Sequence, residues 1–481
     1  MFFVEEQFNE EIRNEENRPA RPRRRKRSKW EIFKEAYLPV VIAGVAAILI
    51  LIFIVGSITR AVQKSKYNKY VATQESIQQA QEEERLQKQA AELVVEADKL
   101  AAGYDYEGAI ALLNGFEGES ETITNRIAGL EKEMGELTTW NDPAQIPNLS
   151  FQLLIADTGR AFSHDVYGSS FNRNFITTEE FAKMLQQLFE NGYVLVNRED
   201  IWEKTTAEDG TTAYTAKSVL LPAGKKPLLL TQTNVNYNYY LIDGDGDKLP
   251  DQYGGGFASK LTYEDGTFIC EMVDANGQMV TGDFDLVPIL ENFIKNNPGF
   301  SYRGARATLA LTGYNGLLGY RTSASAKTDF GETAYESAVE GAKKVAEALR
   351  KTGYELAFYT YENMGYGEKG TPEIQLDLDN YRNEMVPILG ELDTLVFAQN
   401  SDIAPQGAYS GEKYELLKAA GFSQFIGFAE NGITWADLQT DYVRQGRIMV
   451  TGTNVKYNAQ WFASMFDSEI VLDIARGEIP Q

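Results

Sequence analysis

The densest group of carboxylates in the chain is the run Asp243-Gly244-Asp245-Gly246-Asp247-Lys248-Leu249-Pro250-Asp251. Its acids stand at positions 1, 3, 5 and 9 of a loop, as in the front half of an EF-hand, and Leu249 at position 7 could offer a backbone carbonyl. Hard oxygen ligands of this kind suit Ca²⁺. Position 6 is Lys248 where glycine is expected, and position 12 is Gly254 where a bidentate glutamate is expected. The spacing therefore predicts weak calcium binding at Asp243, Asp245, Asp247 and Asp251, of roughly millimolar affinity, with a solvated acidic turn as the alternative. Gly254-Gly255-Gly256 lacks a following Lys-Ser/Thr and is no phosphate loop.

Other chemistry is limited by what the chain lacks. It has one histidine, His164, and one cysteine, Cys270, in 481 residues. An intramolecular disulfide is excluded, and so is any site needing two imidazoles. Cys270 reads as a small buried residue and His164 as an exposed loop residue.

The elements that must carry any site follow from periodicity. Residues 60–98 lack Pro and Gly and are rich in Gln, Glu, Lys and Ala, which predicts a long helix. Small and apolar residues at helical spacing around 102–105 then suggest one tetratricopeptide-like hairpin, giving a helical stalk over 60–138. Asn141-Asp142-Pro143 and Pro147 mark a linker at 139–148. From 149 onward short β-rich runs alternate with amphipathic helices. Strands are expected at 151–155, 193–197, 227–231, 305–312, 356–359 and 394–397. Helices are expected at 179–191, 286–296, 338–352 and 413–420. This alternation predicts an α/β domain over 149–481 built on parallel strands.

Within that domain a family resemblance is legible. The segment LLLTQTNVNYNYY at 228–240 resembles the first motif of polysaccharide deacetylases of the NodB-homology type, in a membrane-anchored Firmicutes branch. So do 285–287, FSYRG at 300–304, LALTGYNGLLGYRT at 309–322 and DYVRQGR at 441–447. The resemblance implies an incomplete (β/α) barrel with its site at the C-terminal strand ends. It also implies metal-assisted amide hydrolysis, with an Asp-His-His set holding the cation and a second Asp as base. At the matching positions this chain has Thr233 and Asn234 for the two aspartates, and Tyr359 and Asn363 for the two histidines. The third motif reads FAQNSD at 397–402, where Asp402 alone is kept. Neutral amides are poor ligands for Zn²⁺-type cations. The expectation is a pseudoenzyme without a catalytic cofactor, the alternative an active or atypical metal-dependent de-N-acetylase acting on amino-sugar polymers. Asn236, Tyr237, Tyr361, Gln399 and Asp402 are candidates for a remaining substrate groove, because rings stack on hexose faces and amides bond hydroxyls. The same residues could instead simply fill the barrel mouth. The expected partner is a cell-wall glycan or another envelope protein.

Net charge is −23, yet residues 1–56 hold ten Lys and Arg against eight Asp and Glu. The rest is strongly acidic and repels nucleic acid. Residues 36–59 carry no charge and are long enough to span a bilayer as a helix. Basic residues 21–29 precede them, which predicts a cytoplasmic tail over 1–35, an uncleaved anchor, and an extracytoplasmic bulk. A cleaved signal peptide is the rival reading. A domain of this size without disulfides suits a Gram-positive envelope.

Overall fold

The computed structural model describes residues 28–405 and 407–480, so most of the expected tail lies outside the described residues. The chain divides into two compact units, one ending at Leu86 and one spanning Gln87–Gln481. The first holds the helix Lys29–Ala36 and most of the helix Leu38–Ala102. Among the described residues this is the one helical run long and apolar enough to cross a membrane, and none of its apolar window is buried. Val40, Ile50 and Phe53 all stand exposed on it.

The second unit is built around seven parallel strands: β1 (Asn148–Phe151), β2 (Lys226–Thr233), β3 (Thr308–Leu311), β4 (Glu355–Phe358), β5 (Thr394–Val396), β6 (Gln424–Phe428) and β7 (Val443–Met449). Each pairs with the next, and β7 pairs with β1, so the hydrogen-bonded ring is closed. It has one strand fewer than the eight of a full (β/α) barrel. The strand Tyr193–Leu195 pairs with the first residues of β2, below the stretch that β3 takes.

Alternation along the strands sorts the side chains. Leu309, Leu356, Leu395 and Phe425 join the large cluster beneath the outer helices. Ala310, Ala357, Val396 and Ile426 form a separate small cluster with Tyr359 and Ala398, which fills one side of the lumen. The other side is polar: Thr231 Oγ1 donates to Asn148 Oδ1 (2.8 Å), Asn148 Nδ2 to Gln445 Oε1 (3.4 Å), and Gln445 Nε2 to the Ile146 carbonyl (3.1 Å).

The outer helices follow their apolar stripes. Thr178–Glu190 starts with a capping box between Thr177 and Glu180 and buries Phe181, Met184, Leu185 and Leu188. Leu286–Asn296 buries Leu286, Val287, Leu290 and Ile294. The expected hairpin is present as the end of Leu38–Ala102 with Tyr106–Asn114 and Glu121–Gly135. From residue 87 on this segment packs within the barrel unit. Ala97, Ala109 and Leu130 share a cluster with Val194 of the strand Tyr193–Leu195, Leu229 of β2 and Val443 at the start of β7. At the start of the expected linker over 139–148, Thr138–Trp140 pairs antiparallel with Val219–Leu221. Two antiparallel insertions went unforeseen: the hairpin Trp202–Thr206 with Thr212–Ala216, and the three strands Lys260–Glu264, Thr267–Val273 and Met279–Gly282.

Candidate functional site

The C-terminal ends of the barrel strands open into a cavity of about 620 Å³. Four of the sequence-derived positions meet there: Asn234 after β2, Tyr359 and Asn363 after β4, and Gln399 after β5. They are joined by Gln152, Asn174, Asn400 and Asn454, by Thr451 and Thr453, by Phe428 and Met449, and by Arg173. A second cavity of about 220 Å³ shares Asn400 and Phe428 with it and adds Asp402, Pro405, Glu430, Ile433 and Trp435. The two together make a groove rather than a single-residue socket.

The mouth is held by unusual backbone. Asn234, Thr360, Asn363, Gln399 and Asn400 all have φ between +51° and +62°. Asparagine tolerates the left-handed region; a β-branched threonine there is an outlier. Local hydrogen bonds fix the arrangement. Thr360 Oγ1 accepts from the Met364 N–H (2.7 Å), Gln399 Nε2 donates to the Asn363 carbonyl (2.7 Å), and Thr312 Oγ1 donates to Asn234 Oδ1 (3.1 Å).

Beneath the cavity lies Arg447, fully buried. Its guanidinium donates to the carbonyls of Ile426, Gly427 and Phe397 at 2.9–3.2 Å, and sits 5.9 Å from the Tyr359 ring centroid. It makes no ion pair among the described residues, and burial pulls its pKa down. In the adjoining cavity Asp402 accepts from Tyr409 Oη (2.7 Å) and the Ala404 N–H (2.9 Å). Burial raises its pKa, and those two hydrogen bonds with the nearby Arg444 oppose the rise.

Several sequence candidates sit elsewhere. Thr233 is fully buried and donates to the Phe151 carbonyl (3.2 Å), tying β2 to β1. Tyr237 is fully buried and donates to Asp285 Oδ2 (2.7 Å). Asp285 also accepts from the Leu154 N–H and Gln232 Nε2, so this is a structural node linking two strand ends to an outer helix. Asn236 is enclosed with both side-chain polar atoms unpartnered. Tyr361 turns away to donate to Glu384. His164 is half-buried rather than exposed: its Nδ1 accepts from the Val166 and Tyr167 N–H groups (3.3 and 3.2 Å), capping the turn into the helix Gly168–Asn174.

Trp435 had no sequence signal. Its Nε1 donates to the Phe428 carbonyl (3.2 Å), and its ring lies on the strand glycines: a Cβ on Gly446 would overlap the indole. Phe428, Thr451, Asn454 and Arg173 were also missed.

The large cavity contains no His, Cys, Asp or Glu among its lining residues. A catalytic zinc site needs three such ligands and an open position. These residues do not fit the metal that the resemblance implies. Among the described residues, one group of carboxylates converges: Asp243, Asp245 and Asp247, with ligand atoms within 4.8 Å of one another. Asp251 is not in that group. Its Oδ2 accepts from the Gly244 and Asp245 N–H groups, and its Oδ1 from those of Tyr253 and Gly254.

No family model and no curated protein matches the chain. Among solved structures it is similar to the Streptococcus pyogenes deacetylase PplD in complex with acetate, with 13% identity, a TM-score of 0.32, and coverage of 67% of this chain and 98% of that one. It is also similar to BC0361, a polysaccharide deacetylase from Bacillus cereus, with 10% identity, a TM-score of 0.33, and coverage of 69% and 70%.

Proposed function

We propose that this chain is a membrane-anchored, extracytoplasmic glycan-binding protein, a pseudoenzyme on a deacetylase-like barrel. One observation carries the reading: the groove at the strand ends is lined by amides, hydroxyls and rings, and its main cavity holds no side chain able to bind a catalytic metal or act as a carboxylate base. Amides donate to and accept from sugar hydroxyls, while Tyr359, Phe428 and Trp435 offer faces for hexose rings. The basic residues before the apolar helix support an outward-facing barrel. The sequence resemblance supports the Firmicutes cell wall as the place of action. The 243–251 loop is read as a weak Ca²⁺ site because three of its carboxylates converge.

The test combines binding with turnover. The full chain should bind chitooligosaccharides or peptidoglycan fragments in calorimetry. It should release no acetate from them, with or without added Zn²⁺, Co²⁺ or Mn²⁺. Stoichiometric metal with turnover would overturn the pseudoenzyme and restore the atypical deacetylase. Binding to an envelope protein without any saccharide affinity would give the groove to a protein partner. Protease added to intact protoplasts should remove the barrel; protection would refute the orientation.

A further inference from the structure

We propose that the groove takes an acidic saccharide whose carboxylate docks on Arg173. The inference rests on the glycan reading and narrows its substrate class.

Arg173 lies in the last turn of the helix Gly168–Asn174 and is the one charged residue lining the main cavity. The other arginines of the barrel unit have partners. Arg160 pairs with Asp157, Arg198 with Glu355, Arg306 with Glu291, and Arg476 with Glu180. Arg321, Arg350 and Arg447 donate to backbone carbonyls. Arg173 has no ion pair and no side-chain hydrogen bond among the described residues; its Nε is enclosed, but neither Nη is, so the outer edge of the guanidinium stays open to the cavity. A cation with no acidic partner in the fold favours a ligand that brings acceptors to that open edge. Arg447 adds a second positive charge at the cavity floor, again without an ion pair, and its Nε also lacks an acceptor. The carboxylates of Asp402 and Glu430 line the adjoining cavity instead. The main cavity is thus a neutral amide surface with one open cation. That combination matches a hexose bearing one planar oxyanion, because a guanidinium engages a carboxylate through two parallel N–H bonds. Uronic acids and lactyl-ether sugars both present such a group.

The full chain in a detergent without a sugar headgroup is titrated with four probes. They are chitotetraose, a hyaluronan tetrasaccharide, the disaccharide of N-acetylglucosamine and N-acetylmuramic acid, and glucose 6-phosphate. The carboxylate-bearing probes should bind at least about tenfold tighter than chitotetraose at low salt, with the margin shrinking as NaCl is added. The R173Q variant should collapse that margin. R173K, which keeps the charge but loses the two-pronged guanidinium, should retain only part of the margin. Equal affinities for acidic and neutral probes, or a margin that survives R173Q, overturn the acidic inference alone. Tighter binding of the phosphate than of either carboxylate overturns the commitment to a carboxylate. If no saccharide of any charge binds, the glycan reading falls and this inference with it.

Discussion

Replacing Arg476 by methionine tests how the groove's cation is held in place. Arg476 and Glu180 are both buried, and their side chains meet through two contacts, one of them Nη2–Oε2 at 2.6 Å. The same guanidinium donates from Nη1 to the Asn172 carbonyl (2.7 Å) and Oδ1 (3.1 Å), and from Nη2 to the Phe175 carbonyl (2.6 Å). Asn172 and Phe175 flank Arg173, so this buried pair clamps the C-terminal turn that presents it. In the R476M variant Glu180 keeps only the N–H groups of Thr177 and Asp473, both at 2.8 Å, against an uncompensated buried charge. Breaking a buried pair from one side costs about 3–5 kcal/mol. Urea unfolding followed by tryptophan fluorescence should show a loss of that size. The double variant E180Q/R476M should lose less than R476M alone, because the orphaned charge is gone. Acidic-saccharide affinity should fall in both, since the turn has lost its clamp. A loss below about 1 kcal/mol, the range of an exposed pair, would refute the clamp.

Burial lifts the Asp200 carboxyl to about 6, with the Asn197 N–H bond pulling the other way. Its native pKa lies above its unfolded one, so its contribution is complete below pH ~4, is lost as pH rises to about 6, and is flat beyond. The change is at most about 3 kcal/mol. D200N should flatten the pH 4–6 part of the urea-midpoint profile, and parallel profiles would count against the buried acid. A side chain at Gly446 collides with the Trp435 indole, so G446V should weaken binding of long oligosaccharides more than of disaccharides; equal weakening would remove Trp435 from the groove. Millimolar Ca²⁺ should raise the thermal midpoint of the wild type and leave D245N unmoved, and the absence of any shift would make the 243–251 loop an acidic turn.

The parts of the fold legible in the sequence are those whose apolar residues repeat at one period. Leu286–Asn296 was expected at 286–296, and β5 and the helix Glu412–Ala419 were placed to within a residue or so at each end. Closure of seven strands was not legible as such, because pairing β7 with β1 joins residues some 300 positions apart and leaves no local mark. The antiparallel insertion Thr267–Val273 alternates Phe268, Cys270 and Met272 inward against half-exposed neighbours, a weak signal next to the apolar runs around it. Tyr237 and Tyr361 are groove candidates in the sequence because they lie in the segments that resemble the family motifs and rings stack on hexoses. The backbone turns left-handed at Asn234, Tyr237 and Thr360, which breaks the alternation and sends the phenols to the buried Asp285 and the half-buried Glu384. Arg173, Phe428 and Trp435 come from segments that only closure brings together.

The asparagines at 234, 236, 238, 363 and 400 were nevertheless a physical clue. Asparagine tolerates the left-handed region that bulkier residues avoid, and Asn234, Asn363 and Asn400 occupy it at this mouth. Left-handed non-glycine residues cost on the order of 1–3 kcal/mol each and persist where the surroundings over-determine them. Five of them ring this mouth. Strain gathered at one place in this way is common at ligand sites, which supports the proposed reading of the groove.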